Sequence, residues 1–333
     1  MKIDFVVAWV DGNDPEWNKK KSQYQTKIAD SKAQDSSNSR YRDWGIFKYW
    51  FRSVMINAPW VNKVYLVTDR QIPQFINREC EKLQIIFHED YIPKEYLPTF
   101  SSHTIELNFH RIPDLSEHFV YFNDDMYLNQ PVKEDDFFRS GMPCYDLIER
   151  PLVPRANMSL INYICINDMG VINEHFSRKD LVKHFFKFVN YRYGKHSLKN
   201  LFLLPQHNIQ HFADNHMPCP FLKSTLEEVW EKEESVLSRT CLNRFRTFRD
   251  VNQYVFKYWD QARGNFHPYY FEGGYYSIDS SNIMSCIEDI LNSRHLMMCI
   301  NDKGQENDFF ENAKRLQSAF EQRYPEECCF EQS

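Results

Sequence analysis

The chain is poor in glycine and lacks the glycine-rich loops that hold phosphate in many nucleotide-dependent enzymes. Only 9 of its 333 residues are glycine, and no stretch matches GxGxxG or GxxxxGK followed by Ser or Thr. These absences exclude a dinucleotide-binding fingerprint and a Walker phosphate loop. Any phosphate that the protein binds must therefore be held by side chains and a metal ion.

Other features are also missing. No run of 18 apolar residues predicts a membrane span, and no secretory signal precedes the first strand. The nine cysteines are odd in number and lack CxxC spacing, which favours reduced thiols of an intracellular protein over a disulfide framework. A net charge of −6 argues against a nucleic-acid binder. We expect a cytoplasmic protein with no nucleic-acid partner.

What is present is a globular composition, 42% hydrophobic and 26% charged. A chain of 333 residues fits one large domain or two smaller ones, and we expect a single domain over 1–333, which the resemblance given below implies is catalytic. Apolar strand-like runs alternate with amphipathic helical stretches, which predicts an α/β fold with a Rossmann-like, mostly parallel sheet. The runs are Ile3–Val10, Lys63–Asp69, Leu83–Glu89 and His118–Phe122, and the helical stretches begin near Asp43 and at Thr104–Arg111.

Between 130 and 204 the strand signals weaken, and we predict a helical region inserted into the sheet domain. Capping boxes at Ser177–Asp180 and Ser224–Glu227 predict two helix starts. The last helix is predicted to bury a stripe, which consists of Phe309, Phe310, Ala313, Leu316 and Phe320.

Two of the apolar runs end in acidic residues. The first is followed by Asp11, Gly12 and Asp14, and the run from His118 is followed by Asn123, Asp124 and Asp125. Because ligands of open α/β sheets sit at the carboxyl ends of the strands, these oxygens favour a Mg²⁺ or Mn²⁺ ion and a phosphorylated ligand. The alternative is ordinary acidic turns, since Asp-Gly and Asp-Pro are common turn formers.

Five further residues are weaker candidates. Arg42, at a predicted helix start, is suited to clamp phosphate, or else lies in a solvated first turn. Glu106 shares a predicted helix face with His110, either as a functional pair or as a surface pair. His216 is a possible general base, although a lone histidine is more often structural. Arg246 by itself fits the surface, and Asp302 ends a third apolar-to-acidic step.

A set of segments occurs in order along nearly the whole chain. The first is FVVAWVDGNDPEW, and the others are RYRDW, KYWFRSV, APWVNKVYLVTD, EYLPTFSSHTIELNFHRIP, FVYFNDDMYL, NHMPCPF, FRTFRDV, CINDKGQ and YPEECCFE. Together these segments resemble the Stealth family, bacterial polysaccharide phosphotransferases related to the catalytic part of lysosomal N-acetylglucosamine-1-phosphotransferase. The first segment has Ala8 where Thr is usual, and the last departs from the family at Glu327 and Cys328, where Lys and Ser are commoner.

The resemblance implies a domain akin to GT-A sugar-nucleotide transferases, which moves sugar 1-phosphate from a UDP-sugar to a hydroxyl of a glycan or lipid-linked oligosaccharide. The donor would be a UDP-N-acetylhexosamine or a UDP-hexose, and UMP would leave. The resemblance assigns Asp125 and Asp124 to binding of metal and diphosphate. It makes His216 the base and Arg246 the residue that stabilises the phosphoryl charge. Three residues are expected to line the nucleotide pocket, namely Asp11, Gly12 and Asp14. Second-tier candidates are Arg42 and Glu106 for the nucleotide sugar and Asp302 for the metal.

Two other functions stay open from the sequence. A metal-dependent glycosyltransferase would share the same parts but release UDP, and a non-catalytic glycan-binding module would bind UDP-sugar without turnover. A basic, aromatic stretch over 175–199 is compatible with peripheral contact at the inner face of the plasma membrane. The sequence favours a plainer interpretation, in which its phenylalanines pack inward and its lysines are solvated.

Overall fold

A mostly parallel five-stranded sheet forms the centre of the protein. The computed structural model describes residues 1–25, 34–35, 41–270, 272–279, 281–302 and 308–332. In sheet order the strands are β4 (Leu83–Phe87), β3 (Val64–Thr68), β1 (Ile3–Ala8), β5 (His118–Asn123) and β9 (Cys219–Leu222). Strands β1, β3, β4 and β5 are parallel, and β9 runs antiparallel to β5. The predicted α/β class with a mostly parallel sheet is confirmed.

Strand β1 lies in the middle because it is apolar on both faces. Phe5 and Val7 point into one hydrophobic core, whereas Val6 points into a second core across the sheet. All three are fully buried. A strand enclosed on both sides reads as a continuous apolar run, which is why the sequence located it.

The first core is covered by α2 (Phe47–Asn57), α12 (Ile283–Asn292) and α13 (Phe309–Arg323). Helix α2 begins four residues after the predicted start at Asp43, and its apolar face is buried as expected. On α13 the predicted stripe is wrong at Phe310, whose side chain is 78% exposed. Phe310 lies one residue from Phe309, so its side chain is about 100° further round the helix and misses the core.

The second core is covered by α4 (Ser102–Leu107), α6 (Leu160–His175), α10 (Lys223–Cys241) and α11 (Tyr254–Arg263). The helix predicted over Thr104–Arg111 ends at Leu107, because the Asn108 amide donates to the Thr104 carbonyl at 2.8 Å and a 3₁₀ turn follows. The capping box predicted at Ser224 is also wrong. Helix α10 starts directly after β9, and the Ser224 N–H donates to the carboxylate of Glu117.

The remaining elements are short or lie at the edges. A second sheet has the order β12 (Gly274–Ile278), β13 (Met297–Asp302) and β6 (Met126–Leu128). A third sheet has the order β11 (His267–Pro268), β8 (Met142–Tyr145) and β7 (Phe138–Arg139). A fourth pairs β10 (Arg246–Thr247) with β2 (Gln34–Asp35). The helices still to be named are α1 (Pro15–Gln25), α3 (His88–Tyr91) and α5 (Glu134–Phe137).

The segment 130–204 contains α5, β7, β8, α6, α7 (Arg178–Lys183), α8 (Phe185–Phe188) and α9 (His196–Leu203). The capping box at Ser177 is confirmed, since the carboxylate of Asp180 accepts from the Ser177 N–H and hydroxyl at 2.9 Å each. That this segment is an insertion within a single domain over 1–333 stays a prediction.

All nine cysteines are free thiols, as expected from their number and spacing. None of the helices in the described part of the chain has the length and apolar character needed to span a bilayer.

Candidate active site

A cavity of about 940 Å³ opens at the carboxyl edge of the central sheet, beside the ends of β1, β5 and β13. Most of the predicted site residues line it. They are Arg42, Glu106, Asp124, Asp125, His216, Arg246 and Asp302. They come from distant parts of the chain. Asp124 and Asp125 follow β5 of the parallel sheet, whereas the others lie on α4, β10 and β13 and in the segments before α2 and β9.

Asp11, Gly12 and Asp14 are not among the residues that line this cavity. Asp14 caps α1, where its carboxylate accepts from the N–H groups of Glu16 at 2.8 Å and Trp17 at 3.0 Å. The Trp17 hydrogen bond lowers the pKa of Asp14. At Gly12 a Cβ atom would overlap the backbone of Tyr41, so the close approach of two loops requires glycine there. The roles predicted for these three residues stay predictions.

The acidic end of β5 places two consecutive carboxyl groups, those of Asp124 and Asp125, at the cavity. Burial, followed by the charges of Asp125 and Asp43, raises the pKa of Asp124 to about 8, although its carboxylate opens into the cavity. Burial also raises the pKa of Asp125, opposed by the charge of His216. The Asp125 Oδ1 atom is buried and makes no hydrogen bond to any described residue. Such an oxygen beside a second carboxylate fits a bound cation, which would supply the missing positive charge.

Asp125 also belongs to a tight cluster with His216 and Cys299, whose ligand atoms all lie within 4.8 Å of one another. The Cys299 thiol donates to Asp125 Oδ2 at 3.3 Å, and burial raises the pKa of this thiol well above its usual value. Of the three predicted metal ligands, only Asp125 belongs to the cluster. Asp125 therefore connects the acidic residues that follow β5 with His216.

His216 is held in an unusual backbone conformation, with φ at 52°. Its N–H donates to Asp214 Oδ1 at 2.6 Å, and Asp214 in turn accepts from Lys257 at 2.7 Å. The His216 ring contacts the hydroxyl of Tyr254, with 3.3 Å between Nδ1 and the oxygen. Burial keeps Tyr254 a neutral phenol by raising its pKa well above the usual value. A non-glycine residue held at positive φ by several partners is a feature that recurs at functional sites.

Glu106 and Arg246 lie on the same side of the cavity, next to α4. Glu106 is 4% exposed; its Oε1 accepts from Tyr121 at 3.1 Å, and its Oε2 is buried without a hydrogen bond among the described residues. Arg246 donates to Ser102 at 2.7 Å. The predicted partnership of Glu106 with His110 is wrong, because the helix ends between them and His110 packs on Trp230 instead.

Arg42 and Asp302 form a bidentate pair, with Nε–Oδ2 at 2.7 Å and Nη2–Oδ1 at 2.8 Å. The Arg42 guanidinium also stacks on Phe309, with its Cζ 4.5 Å from the ring centroid. This pair ties β13 to the loop before α2. Both side chains face the cavity, but each satisfies the other.

Several residues at this site were missed by reasoning from the sequence. Cys299 begins the CIND segment, of which only Asp302 was singled out. Asp214 directly precedes the NHMP segment, so its position next to the predicted base was a usable signal. Lys257 and Tyr254 lie one turn apart on α11, and nothing local distinguishes them from core residues of an amphipathic helix.

Acidic groups, a histidine and an arginine around one cavity of an α/β sheet are the architecture of an enzyme. Profiles of two conserved regions match the chain: Stealth protein conserved region 1 at residues 1–29 and conserved region 2 at residues 40–144. The chain is 41% identical over 333 residues to the capsular polysaccharide phosphotransferase WcwK of Streptococcus pneumoniae, covering 99% of this chain and 98% of that protein. The chain therefore belongs to the Stealth family, a family of transferases.

Two further relatives are of similar length. The receptor polysaccharide phosphotransferase WefC of Streptococcus gordonii is 44% identical over 338 residues, with 99% of each chain covered. The exopolysaccharide phosphotransferase cps2G of Lactiplantibacillus plantarum is 39% identical over 333 residues, covering 99% of this chain and 96% of that one. Among solved structures, the bifunctional glycosyltransferase WbbM matches with a TM-score of 0.40 at 9% identity, covering 98% of this chain and 52% of that one. A likeness this distant supports no conclusion about the function of this chain.

Proposed function

We propose that this protein transfers sugar 1-phosphate from a UDP-sugar to a hydroxyl of a polysaccharide or lipid-linked oligosaccharide acceptor, in capsule or exopolysaccharide synthesis. The observation that carries the proposal is the cavity, which places the Asp124–Asp125 pair, His216 and Arg246 around one space. Phosphodiester formation needs a base for the hydroxyl and positive charge for the phosphoryl group, and His216 and Arg246 are the residues of the cavity that we propose for these roles. The full-length similarity to polysaccharide phosphotransferases supports the same reaction.

In the proposed reaction, the acceptor oxygen attacks the β-phosphorus of the donor. A bond forms between that oxygen and the β-phosphorus, the bond from the β-phosphorus to the bridging oxygen breaks, and UMP leaves. His216 accepts the proton of the acceptor hydroxyl at Nε2. Because Tyr254 is a neutral phenol, its oxygen is able to accept the Nδ1 proton, which leaves the lone pair of Nε2 facing the acceptor.

The other side chains handle charge. Arg246 would neutralise the charge that develops on the transferred phosphoryl group, as arginine does in other phosphoryl transfers. Asp125 and Asp124 would hold Mg²⁺ or Mn²⁺, which when bound supplies positive charge to the diphosphate. Asp302 would become a further ligand only if it gave up part of its bidentate pair with Arg42.

The test is to identify the nucleotide that leaves. The protein is incubated with a panel of UDP-N-acetylhexosamines and UDP-hexoses, Mg²⁺ or Mn²⁺, and lipid-linked oligosaccharides. UMP, released in step with a new phosphodiester, is the expected product. UDP would identify a glycosyltransferase instead, and binding of UDP-sugar without release of either nucleotide would identify a binding module.

A further inference from the structure

Exposed apolar side chains are concentrated in one short part of the chain. Seven of the eighteen large hydrophobic residues that are exposed in the described structure fall between 182 and 202. Three of them, Phe186, Tyr191 and Phe202, are each 82% exposed. The expectation that the phenylalanines of this stretch pack inward is therefore wrong for Phe186, although Phe188 is buried. Aromatic groups left in water at this density indicate a partner surface.

Helix α9 shows how the exposure arises, because its polarity is inverted. Its buried residues are Ser197 and Asn200. The Asn200 amide donates to the carbonyls of Leu147 and Phe188 at 2.6 Å each, so the protein-facing side is satisfied by hydrogen bonds. On the opposite face lie Leu198, 60% exposed, and Phe202. A helix whose polar residues face the protein and whose apolar residues face solvent resembles an interfacial helix.

Lysines border this apolar face. Spacings of three and four residues place Lys195 and Lys199 on the same side of α9 as Leu198 and Phe202, and both lysines are exposed. Lys187 does not contribute, because its ammonium donates to the carbonyls of Gly264 and Phe266 at 2.8 Å each. The exposed face thus combines aromatic and aliphatic groups with local positive charge, on a chain whose net charge is −6.

We propose that the exposed face of α9, together with Phe186 and Tyr191, docks on an anionic lipid bilayer. Apolar groups enter the boundary between headgroups and acyl chains while lysines contact the headgroup phosphates, and this combination matches the face of α9. A second copy of the chain is a poorer occupant, since a two-fold interface through this face would bring its lysines against each other. The proposal is independent of the donor and the reaction proposed above.

The experiment is vesicle co-sedimentation of the full chain, with phosphatidylcholine vesicles compared with vesicles that also contain phosphatidylglycerol. The test variant is Phe202→Gln with Lys199→Glu. The matched control is Phe310→Gln with Lys314→Glu on α13, where the phenylalanine is exposed to a similar degree, 78%. A third variant, Lys195→Glu with Lys199→Glu, leaves the apolar residues in place. Thermal unfolding of all variants checks that the fold is kept.

We expect wild type and control to bind anionic vesicles alike, with binding weakened by salt. Both α9 variants should bind at least about tenfold more weakly, because each reversed lysine is repelled by the anionic surface. Absence of binding by the wild type, or equal binding by wild type and α9 variants, would overturn the proposal. Self-association that the α9 variants lose, without vesicle binding, would assign the face to a second copy and also overturn it.

Discussion

Asp125 stands where three segments of the chain meet. Its carbonyl accepts from the N–H of Ile300 at 2.8 Å and its Oδ2 accepts from Cys299, both on β13, while His216 lies within the same cluster. Its Oδ1 is buried without a hydrogen bond among the described residues. At the scale of single residues, one carboxylate oxygen of Asp125 is thus held by β13, and the other is the oxygen that we propose binds a cation.

The first prediction concerns this carboxylate. Asp125→Asn keeps the size of the side chain but removes its charge, so the proposed metal and diphosphate lose a ligand. We expect the rate of UMP release to fall by about 10²–10³ or more, with thermal stability retained. Turnover is measured over a range of Mg²⁺ or Mn²⁺ concentrations.

The control is Asp135→Asn, at an exposed aspartate of α5 that does not line the cavity. It should keep wild-type turnover. If Asp125→Asn is as active as this control, or if wild type turns over fully in excess EDTA, the assignment of Asp125 to a metal is wrong.

The second prediction concerns His216. His216→Ala should lower kcat by about 10²–10⁴, the range for general acid–base catalysis, and leave UDP-sugar binding nearly unchanged. Single-turnover kinetics and calorimetric titration separate these two quantities. His207→Ala serves as the control, because His207 is exposed and lies outside the cavity. Weak nucleotide binding combined with normal kcat at saturation would make His216 a binding residue.

At the scale of elements, the sequence located β1, β3, β4 and β5 because each is a mostly apolar run, and it located the acidic residues because they follow two of those runs directly. The fifth central strand, the four-residue β9, was not predicted. Element ends were harder to predict. The side chain of Asn108 stops α4 early, and α10 begins without its predicted cap, because hydrogen bonds to Thr104 and from Ser224 to Glu117 compete with the helical pattern. Which side chains are exposed was harder still to predict, since α9 and Phe310 break the rule that the apolar stripe of a helix points inward.

The C-terminal segment is held to α2 by a buried ion pair. Arg52 and Glu331 form a bidentate pair with both distances at 2.8 Å. Arg52 also donates to the carbonyls of Tyr324 at 2.8 Å and Pro325 at 3.1 Å. Neither Glu327 nor Cys328, where the sequence is expected to depart from the family, supplies the carboxylate of this pair. Cys328 supports it through its backbone, whose N–H donates to Glu331 Oε1 at 3.0 Å.

The third prediction tests this attachment. Glu331→Gln removes the buried partner of Arg52 and leaves only the half-exposed Glu321, 3.6 Å away, as a counterion. We expect the free energy of unfolding to fall by about 3 kcal/mol, the lower end of the range for breaking a buried pair. Urea unfolding measures the change. Glu327→Gln, at an exposed glutamate of the same segment, should shift it by less than about 0.5 kcal/mol. Replacing both partners, Arg52→Met with Glu331→Leu, should recover part of the loss; a single Glu331→Gln variant as stable as Glu327→Gln would contradict the attachment.

At the scale of the whole molecule, the site depends on pairings across long stretches of chain. Arg42 and Asp302 are 260 residues apart, and no local pattern predicts that each satisfies the other. The sequence could supply candidates for the cavity through family motifs, but the partners Cys299 and Lys257 follow from how sheet and helices pack. The same packing encloses histidines in places where water cannot stabilise their charge.

The last prediction follows from one of these histidines. Burial, followed by the charges of Arg111 and Lys223, lowers the pKa of His110 to about 3. Between that value and the ordinary pKa of about 6.5, the unfolded chain binds a proton that the folded chain does not, so stability falls as pH falls. Burial raises the pKa of Asp146 and Asp260 to about 6, and these carboxyls act in the opposite direction. The pH dependence of the wild type alone therefore mixes both effects.

His110→Phe isolates the histidine, because phenylalanine retains a ring to pack on Trp230, 5.7 Å away between centroids, but does not titrate. Between about pH 7 and about pH 5 the variant should lose about 2 kcal/mol less unfolding free energy than the wild type. Urea unfolding at several pH values measures this difference, and the exposed His207→Phe provides the comparison. Parallel pH curves for wild type and His110→Phe would mean that His110 is protonated in the folded protein as readily as in the unfolded chain.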